Sequence, residues 1–178
     1  MGLLERPEIY RKLCAAQSGV CRDLLLEHFD RLCKIASTRF RRAVFLGTGT
    51  RYFAAREAAL EMLEMTSGRI TTIAKSYLVL RHGPMSFVHE DTLVVGQLSS
   101  DPATRAYELD LLAELDRKKL GLSKVLLGTN VPGSAARVGD QIIHCPGLGE
   151  LCDDDSDHIC GCRATIGFLS LPRRRTQP

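Results

Sequence analysis

The sequence has no long apolar stretch and no apolar segment at its start. No run among its 178 residues approaches the roughly 18 uncharged apolar residues that a membrane-spanning helix needs. The opening MGLLERPEIYRK carries charges where a signal peptide has its apolar segment. We therefore expect a cytoplasmic protein that does not engage a membrane. The hydrophobic content of 44% is enough to form one ordinary core, so we expect a single domain.

The sequence also has no clear pattern of paired cysteines and few aromatic residues among its basic clusters. The seven cysteines are an odd number, and Cys14, Cys21 and Cys33 fall inside helical patterns, where a free cysteine behaves as a small apolar residue. A disulfide framework is therefore not expected. The basic clusters at 39–42 and 173–175 have few aromatics beside them, which is typical of solvated surface rather than of a nucleic-acid interface.

Helical and strand patterns alternate through most of the chain. They predict helices over 3–17 and 20–38, a strand at 43–46, a helix to 65, strands at 69–73 and 92–98, a helix over 102–119, a strand at 123–127, a short helix at 133–137 and a strand at 141–144. Strands alternating with helices indicate an α/β fold with an open parallel sheet and helices on both faces. We expect a Rossmann-like three-layer sandwich over 41–146, preceded by helices over 1–40.

The segment 147–178 does not continue the alternation. It has an acidic run, scattered cysteines and a basic end, and no helical pattern of two turns. We expect an irregular tail that is either disordered or not native to the domain. Residue types that bind zinc are present in this segment, at Cys152, His158, Cys160 and Cys162. Their spacing does not form the two ligand pairs of a structural zinc site, so no metal is expected there.

Ligands in open α/β folds bind outside the carboxyl ends of the strands. The first loop there offers backbone flexibility and two hydroxyl groups suited to a sugar or a phosphate, in Gly47, Thr48, Gly49 and Thr50. Such turns are common, so the signal alone is weak. Tyr52 stands where a dinucleotide-binding loop has its third glycine, which argues against a nicotinamide cofactor.

The loop after the strand at 92–98 is a second candidate for ligand contact. Ser99 and Ser100 bring hydroxyl groups to the start of a helix. Asp101 precedes Pro102, and serine or aspartate at this position also serves as an ordinary helix cap. Both interpretations stay open from the sequence.

Three glutamates share one face of the helix that follows the first loop. Glu57, Glu61 and Glu64 are spaced by four and three residues, which places them within a narrow sector at 100° per residue. A solvated acidic surface explains this pattern. The functional alternative is that one carboxylate moves a proton between adjacent sugar carbons as a general base.

The stretch Arg81-His82-Gly83-Pro84 is the most unusual local sequence. It follows the apolar residues 77–80, and its Gly-Pro pair forbids a continued helix and predicts a turn. A histidine on such a turn can donate or accept a proton during the opening of a sugar ring. A purely structural histidine is the alternative.

Taken together, three stretches resemble a known family. They are VFLGTGTRYFAAREAALEMLEMTSG, SYLVLRHGPMSF, and DTLVV with SSDPATRAYELDLLAEL. The combination, which covers roughly residues 5–145, resembles the second sugar isomerase (SIS) subdomain of the tagatose-6-phosphate ketose/aldose isomerases and galactosamine-6-phosphate deaminases. The resemblance implies an enzyme that converts galactosamine 6-phosphate to tagatose 6-phosphate with loss of ammonia, without a metal or redox cofactor.

The resemblance also implies roles for individual residues. In the related isomerase domain of glucosamine-6-phosphate synthase, the residue matching Glu64 is the proton-shuttling base, and the one matching His82 assists ring opening from the neighbouring subunit. The family usually has lysine where this chain has Glu61. We expect substrate contacts from Gly47, Thr48, Gly49, Thr50, Glu57, Glu61, Arg81, Ser99 and Ser100.

The sequence suggests three possible functions. The first is a half-enzyme: the chain resembles a truncated copy without the first SIS subdomain, and we expect it to form a homo-oligomer or to pair with another SIS domain. The second is a non-catalytic module that binds carbohydrate phosphates or dimerises. It is not a transcriptional regulator in itself, because the chain has no helix-turn-helix with a basic face. The third is a degraded gene product without a stable function.

Overall fold

A computed structural model describes residues 7–144, in which a long helix is followed by alternating strands and helices. The elements are α1 (Pro7–Ser37), β1 (Arg42–Leu46), α2 (Thr50–Met65), β2 (Thr71–Lys75), α3 (Tyr77–His82), a 3-10 turn (Pro84–Phe87), β3 (Thr92–Gln97), α4 (Pro102–Arg117), β4 (Ser123–Gly128), a second 3-10 turn (Gly133–Ala135) and β5 (Gln141–His144). The tail expected at 147–178, with its zinc-type residues, lies outside the described part of the chain.

The five strands form one parallel sheet in the order β2-β1-β3-β4-β5. Val44 of β1 lies opposite Ile73 of β2 on one side and opposite Val94 of β3 on the other. The predicted open parallel sheet is therefore confirmed.

Helices cover both faces of the sheet. Side chains of one strand alternate between the faces: Phe45 packs in the cluster that includes α1 and α2, whereas Val44 packs in the cluster that includes α3 and α4. Strands buried on both faces need continuous apolar runs, and all six residues of β3 are buried. The three-layer arrangement follows from this pattern.

The opening of the chain differs from the prediction. Two helices were expected over 3–17 and 20–38, but α1 is one continuous helix of 31 residues. Ser18 and Gly19 do not break it, because a glycine inside a helix costs only about 1 kcal/mol. A side chain at Gly19 would meet no other atom within 4 Å, so packing does not demand the glycine. None of the described helices, α1 included, is long and apolar enough to cross a membrane.

Two further boundaries also differ. The strand expected at 69–73 is β2 at Thr71–Lys75, because Ser67 and Gly68 adopt left-handed φ values of 51° and 71° and end α2 first. The Gly68 amide donates to the Leu63 carbonyl at 2.8 Å, as in a helix C-cap. His82 was expected on a turn, but it is the last residue of α3, whose N-cap Ser76 accepts a hydrogen bond from the Val79 amide.

A buried ionic cluster holds the amino end of β4. Lys124 is 1% exposed, and its Nζ atom lies 2.6 Å from a carboxylate oxygen of Asp116 on α4 and 3.5 Å from one of Asp140. Asp140 also accepts hydrogen bonds at 2.7 Å from the Lys124 and Arg137 amides. The cluster thus joins the end of α4, the start of β4 and the turn that leads into β5.

We expect Asp140→Ala to lower the free energy of unfolding by about 3 kcal/mol, because the buried ammonium loses a counter-charge and two amides lose their acceptor. Lys118→Ala is the matched control, since it removes an exposed lysine paired with Glu114 and should change little. Urea unfolding of both variants measures the difference. Equal losses in the two would contradict this account.

Candidate functional site

The strand order places two loops side by side at the carboxyl edge of the sheet. From β1 the chain moves to β2 on one side, and β3 returns to the other side of β1. The direction of winding therefore reverses between β1 and β3. Such a reversal, or switch point, is where open α/β sheets bind ligands. The loops after β1 and β3 contain the first and second candidate segments from the sequence.

The loop after β1 is a tight turn that only glycine permits. A Cβ atom at Gly47 would lie 2.3 Å from the carbonyl oxygen of Arg51 in the first turn of α2. Gly49 has a φ of 61°, in the left-handed region. Gly47 is buried and Thr48 is half-buried, whereas Gly49 and Thr50 are exposed.

The loop after β3 contains the helix cap that the sequence allowed, formed by Asp101. Asp101 caps α4 and accepts a hydrogen bond of 2.7 Å from the Thr104 amide, which lowers the pKa of its carboxyl group. Ser99 is only 4% exposed, and its hydroxyl accepts from the Asp101 amide at 3.1 Å. Ser100 is exposed. Asp101 is therefore the helix cap, and the Ser99 hydroxyl stabilises the loop through its hydrogen bond with the Asp101 amide.

Arg105 ties this loop to the next one along the sheet. Its guanidinium donates to the carbonyl oxygen of Ser99, to that of Thr129 at 2.7 Å and to that of Asn130 at 3.2 Å. Backbone carbonyls from the loops after β3 and β4 are therefore held by one side chain.

Glu108 is one of three residues at this edge that the sequence analysis missed, together with Arg51 and Arg105. Its side chain is fully buried, and its Oε2 atom accepts a hydrogen bond of 2.8 Å from the Ser99 amide. Arg51, itself 5% exposed, donates from Nη1 to the Ser99 hydroxyl at 3.3 Å. The Thr48 hydroxyl lies beside the Glu108 carboxyl group, but the Thr48 Oγ1 and Glu108 Oε1 atoms form no hydrogen bond with the described residues. We call Thr48, Arg51, Ser99, Arg105 and Glu108 the switch-point cradle.

Burial raises the pKa of the Glu108 carboxyl group. The Ser99 amide, the Thr48 hydroxyl and the positive charges of Arg51 and Arg105 oppose that shift without cancelling it. The sequence did contain a signal for this residue. Glu108 stands at the first position of the stripe that Leu111, Leu112 and Leu115 continue at helical spacing, so it faces the core.

The three glutamates of α2 lie elsewhere. Glu57 and Glu64 are exposed and Glu61 is half-buried. Glu64 follows Thr50 by 14 residues, which at the rise of an α-helix is about 21 Å along the axis. The structure therefore places Glu64 near the end of α2, far from the switch-point cradle.

Arg81 and His82 are on the opposite side of the sheet from α2. Arg81 of α3 forms ion pairs with Asp110 at 2.8 Å and with Glu114 at 3.0 Å, both on α4. The hydrogen bond from Lys118 and the nearby charge of Arg81 lower the pKa of the Glu114 carboxyl group. His82 is exposed. Because α2 packs on one face and α3 on the other, Glu64 and His82 of one chain do not share a site.

Comparisons with known proteins find relatives that match part of the chain. The chain is 51% identical over 78 residues to D-galactosamine-6-phosphate deaminase AgaS of Escherichia coli, covering 44% of this chain and 20% of that protein. It is 46% identical over 87 residues to the corresponding deaminase of Shewanella sp. (strain ANA-3), covering 49% and 22%. No family model matches the chain.

A solved structure agrees with these relatives. The crystal structure of tagatose-6-phosphate ketose/aldose isomerase from Escherichia coli superposes with a TM-score of 0.73 at 31% identity, over 88% of this chain and 42% of that one. The fold is therefore that of the sugar isomerase (SIS) class. Within that class the chain is similar to the AgaS-type isomerases and deaminases over part of their length, in agreement with the resemblance seen in the sequence. It spans between about a fifth and two fifths of the length of these relatives.

We expect Gly47→Ala to reduce the free energy of unfolding by about 1–3 kcal/mol, because the new methyl group overlaps the Arg51 carbonyl and displaces the start of α2. Gly133→Ala is the control, since a Cβ there meets no atom within 4 Å. Urea unfolding compares the two variants. A Gly47→Ala protein as stable as the control would show that the turn is not constrained in this way.

The raised pKa of Glu108 predicts a pH-dependent stability. A group whose pKa is higher in the folded state than in the unfolded state stabilises the fold below its unfolded pKa, and this contribution is lost as pH rises through the folded pKa. The difference in unfolding free energy between the wild type and Glu108→Gln should therefore fall as pH rises from 4.5, the ordinary value for this carboxyl group. Urea titrations from pH 4 to pH 8 measure it. A difference that increases with pH would reverse the sign and contradict the burial argument.

Proposed function

We propose that this chain takes part in sugar-phosphate aldose/ketose isomerisation or amino-sugar-phosphate deamination in the cytoplasm. The reaction converts galactosamine 6-phosphate to tagatose 6-phosphate and ammonia by proton transfer, without a metal. The observation that carries the proposal is the 51% identity over 78 residues to a D-galactosamine-6-phosphate deaminase. Because the chain spans a fraction of that protein, its activity in isolation is part of the proposal.

Glu64 and His82 are the proposed catalytic residues. Once the ring is open, the Glu64 carboxylate takes the proton from C2 and delivers it to C1 while an amino proton passes to O1, so that the C1 aldehyde becomes a hydroxyl group and the C2 amine becomes an imine. The C2 substituent then leaves as ammonia after water adds to the resulting imine. His82 transfers the proton that ring opening requires, since an imidazole can both donate and accept one. Both side chains are exposed and therefore accessible to a substrate.

The positions of these two residues support a site made by two SIS units. Glu64 lies on α2 and His82 on α3, with the sheet between them. A substrate at Glu64 of one unit can therefore meet only the histidine of another. The proposed partner is a second copy of the chain or another SIS domain, and Glu57, Glu61 and Arg81 would line the junction. Gly49, Thr50 and Ser100 remain candidates for sugar contacts at the carboxyl edge, where they are exposed.

A non-catalytic module that binds carbohydrate phosphate or dimerises is the second candidate. It is favoured by apolar side chains on the outward face of α2, where Phe53 is 66% and Leu60 is 48% exposed. These two residues alternate with Glu57 and Glu64 along one stripe, at spacings of four, three and four. Exposed apolar residues in this arrangement are suited to contact with another protein surface.

Binding can be tested by thermal denaturation with galactosamine 6-phosphate and with tagatose 6-phosphate. A ligand of the folded state stabilises it by about 2.7 kcal/mol at a concentration of 100 Kd. We expect a saturable rise in Tm that is lost in Glu64→Gln and retained in Glu90→Gln, an exposed glutamate on the loop before β3. A cooperative melt that neither compound shifts would contradict sugar-phosphate binding by this chain.

Subunit mixing tests whether the site is composite. Glu64→Gln and His82→Ala should each abolish deamination. In a dimer with two composite sites, a mixed pair keeps one intact site, so random mixing of the two variants should restore about a quarter of wild-type activity. Ammonia release measures this. If both inactive variants mix into dimers without any recovery, the two residues do not cooperate across an interface.

A further inference from the structure

An open pocket lies at the amino edge of the sheet, at the opposite end of the strands from the switch-point cradle. Its volume is about 580 Å³, within the range of roughly 300–1,000 Å³ that is usual for small-molecule sites. Three segments line it: the start of β1 with Arg41 and Arg42, the loop at 89–91 before β3, and Lys119 with Leu120 after α4. The proposed reaction does not use this pocket.

Main-chain hydrogen bonds hold the three segments together. The Arg41 amide donates to the Asp91 carbonyl oxygen at 3.0 Å, and the Gly121 amide donates to the His89 carbonyl oxygen at 3.2 Å. Thr92 is 0% exposed, and its side-chain oxygen accepts a hydrogen bond of 2.9 Å from the His89 amide. The walls of the pocket are therefore formed by the fold itself, so a ligand does not have to order them.

The acids of the pocket leave two of its cations without a partner. Arg42 is paired with Asp91 at 3.2 Å, so these two charges offset each other. Arg41 and Lys119 are exposed, and their side chains form no ion pair or hydrogen bond with the described residues. Glu90, the other acid of the pocket, is exposed and pairs with neither of them. Two positive charges are thus available to a ligand.

Lys119 occupies a backbone position that favours glycine. Its φ is 57°, in the left-handed region, and the Leu120 amide beyond it donates to the Leu115 carbonyl at 2.9 Å to end α4. A lysine is less stable there than a glycine would be, because its Cβ crowds the backbone. Arg117 and Lys118 already bring positive charge to this helix end. A charge that serves the pocket explains why residue 119 is a lysine.

Arg41 and Lys119 approach the pocket from opposite sides. Strands β1 and β4 flank β3 in the sheet, so the segments that carry the two cations belong to strands about 10 Å apart. The loop at 89–91 lies between these segments and is bonded to both. One small anionic group would contact only one of the cations closely, whereas two linked anionic groups can contact both.

We propose that this pocket binds a diphosphate group, either free or as an ester, with one phosphate at Arg41 and the other at Lys119. A guanidinium group binds phosphate oxygens in a bidentate manner, and a lysine ammonium binds them as a point charge. A single phosphate satisfies one of the two cations and binds more weakly. This inference does not depend on the proposed reaction.

Thermal denaturation with sodium pyrophosphate tests the site. We expect a saturable rise in Tm relative to sodium chloride at equal ionic strength, and a smaller rise with orthophosphate. Adenosine diphosphate separates the two sources, because a rise equal to that with pyrophosphate indicates an ester and no rise indicates free diphosphate. If neither diphosphate raises Tm beyond sodium chloride, the proposal is wrong. Orthophosphate as effective as pyrophosphate would overturn the assignment to two linked groups.

Lys119→Gly is the most informative variant, because it removes the charge without straining the backbone. We expect it to be at least as stable as the wild type without ligand, and to bind pyrophosphate about tenfold more weakly or worse. Arg117→Ala is the matched control, since it removes a positive charge two residues earlier, outside the pocket lining, and should bind as the wild type does. Glu64→Gln should also retain the response, which separates this pocket from the proposed catalytic site. Equal losses in Lys119→Gly and Arg117→Ala would indicate diffuse attraction to a basic surface and overturn the site.

Discussion

The carboxyl edge of the sheet depends on the burial of one carboxyl group. Glu108 is withdrawn from water, so it must be met by donors and positive charge, and the Ser99 amide with Arg51 and Arg105 provide them. These partners come from α2, from the loop after β3 and from α4. Satisfying one acid therefore fixes three segments relative to one another, and Arg105 extends the constraint to the carbonyls of Thr129 and Asn130.

The layers of the fold could be predicted because their signals are local. Five apolar or β-branched runs became five strands, and Asp101 with Pro102 marked the start of α4 within one residue. The errors arose where local signals were weak or where tertiary structure decided the outcome. The cost of Gly19 was too small to divide α1. The turn at Ser67 and Gly68 delays the start of β2, so that residues 69–70, which were predicted as strand, lie before it.

The candidate site was predicted less completely than the fold. Spacing placed Glu57, Glu61 and Glu64 on one side of α2, but it could not reveal that Glu64 lies at the far end of that helix from the Gly47 turn. Nor could it reveal that the sheet separates Glu64 from His82, since that follows from which face each helix covers. Glu108 was missed because glutamate is ordinarily a surface residue, although its position in the leucine stripe of α4 marked it as inward-facing.

The pairing of Arg81 with α4 has a mechanical consequence. The Arg81 side chain, next to His82, is paired with Asp110 and Glu114 of α4, and Glu108 precedes these two residues on the same helix. A tilt or a slide of α4 would therefore move the backbone at His82. Near its amino end, α4 is joined through Arg105 to the loops after β3 and β4. The position of the His82 backbone is therefore coupled to that of α4 and to the sheet on which α4 packs.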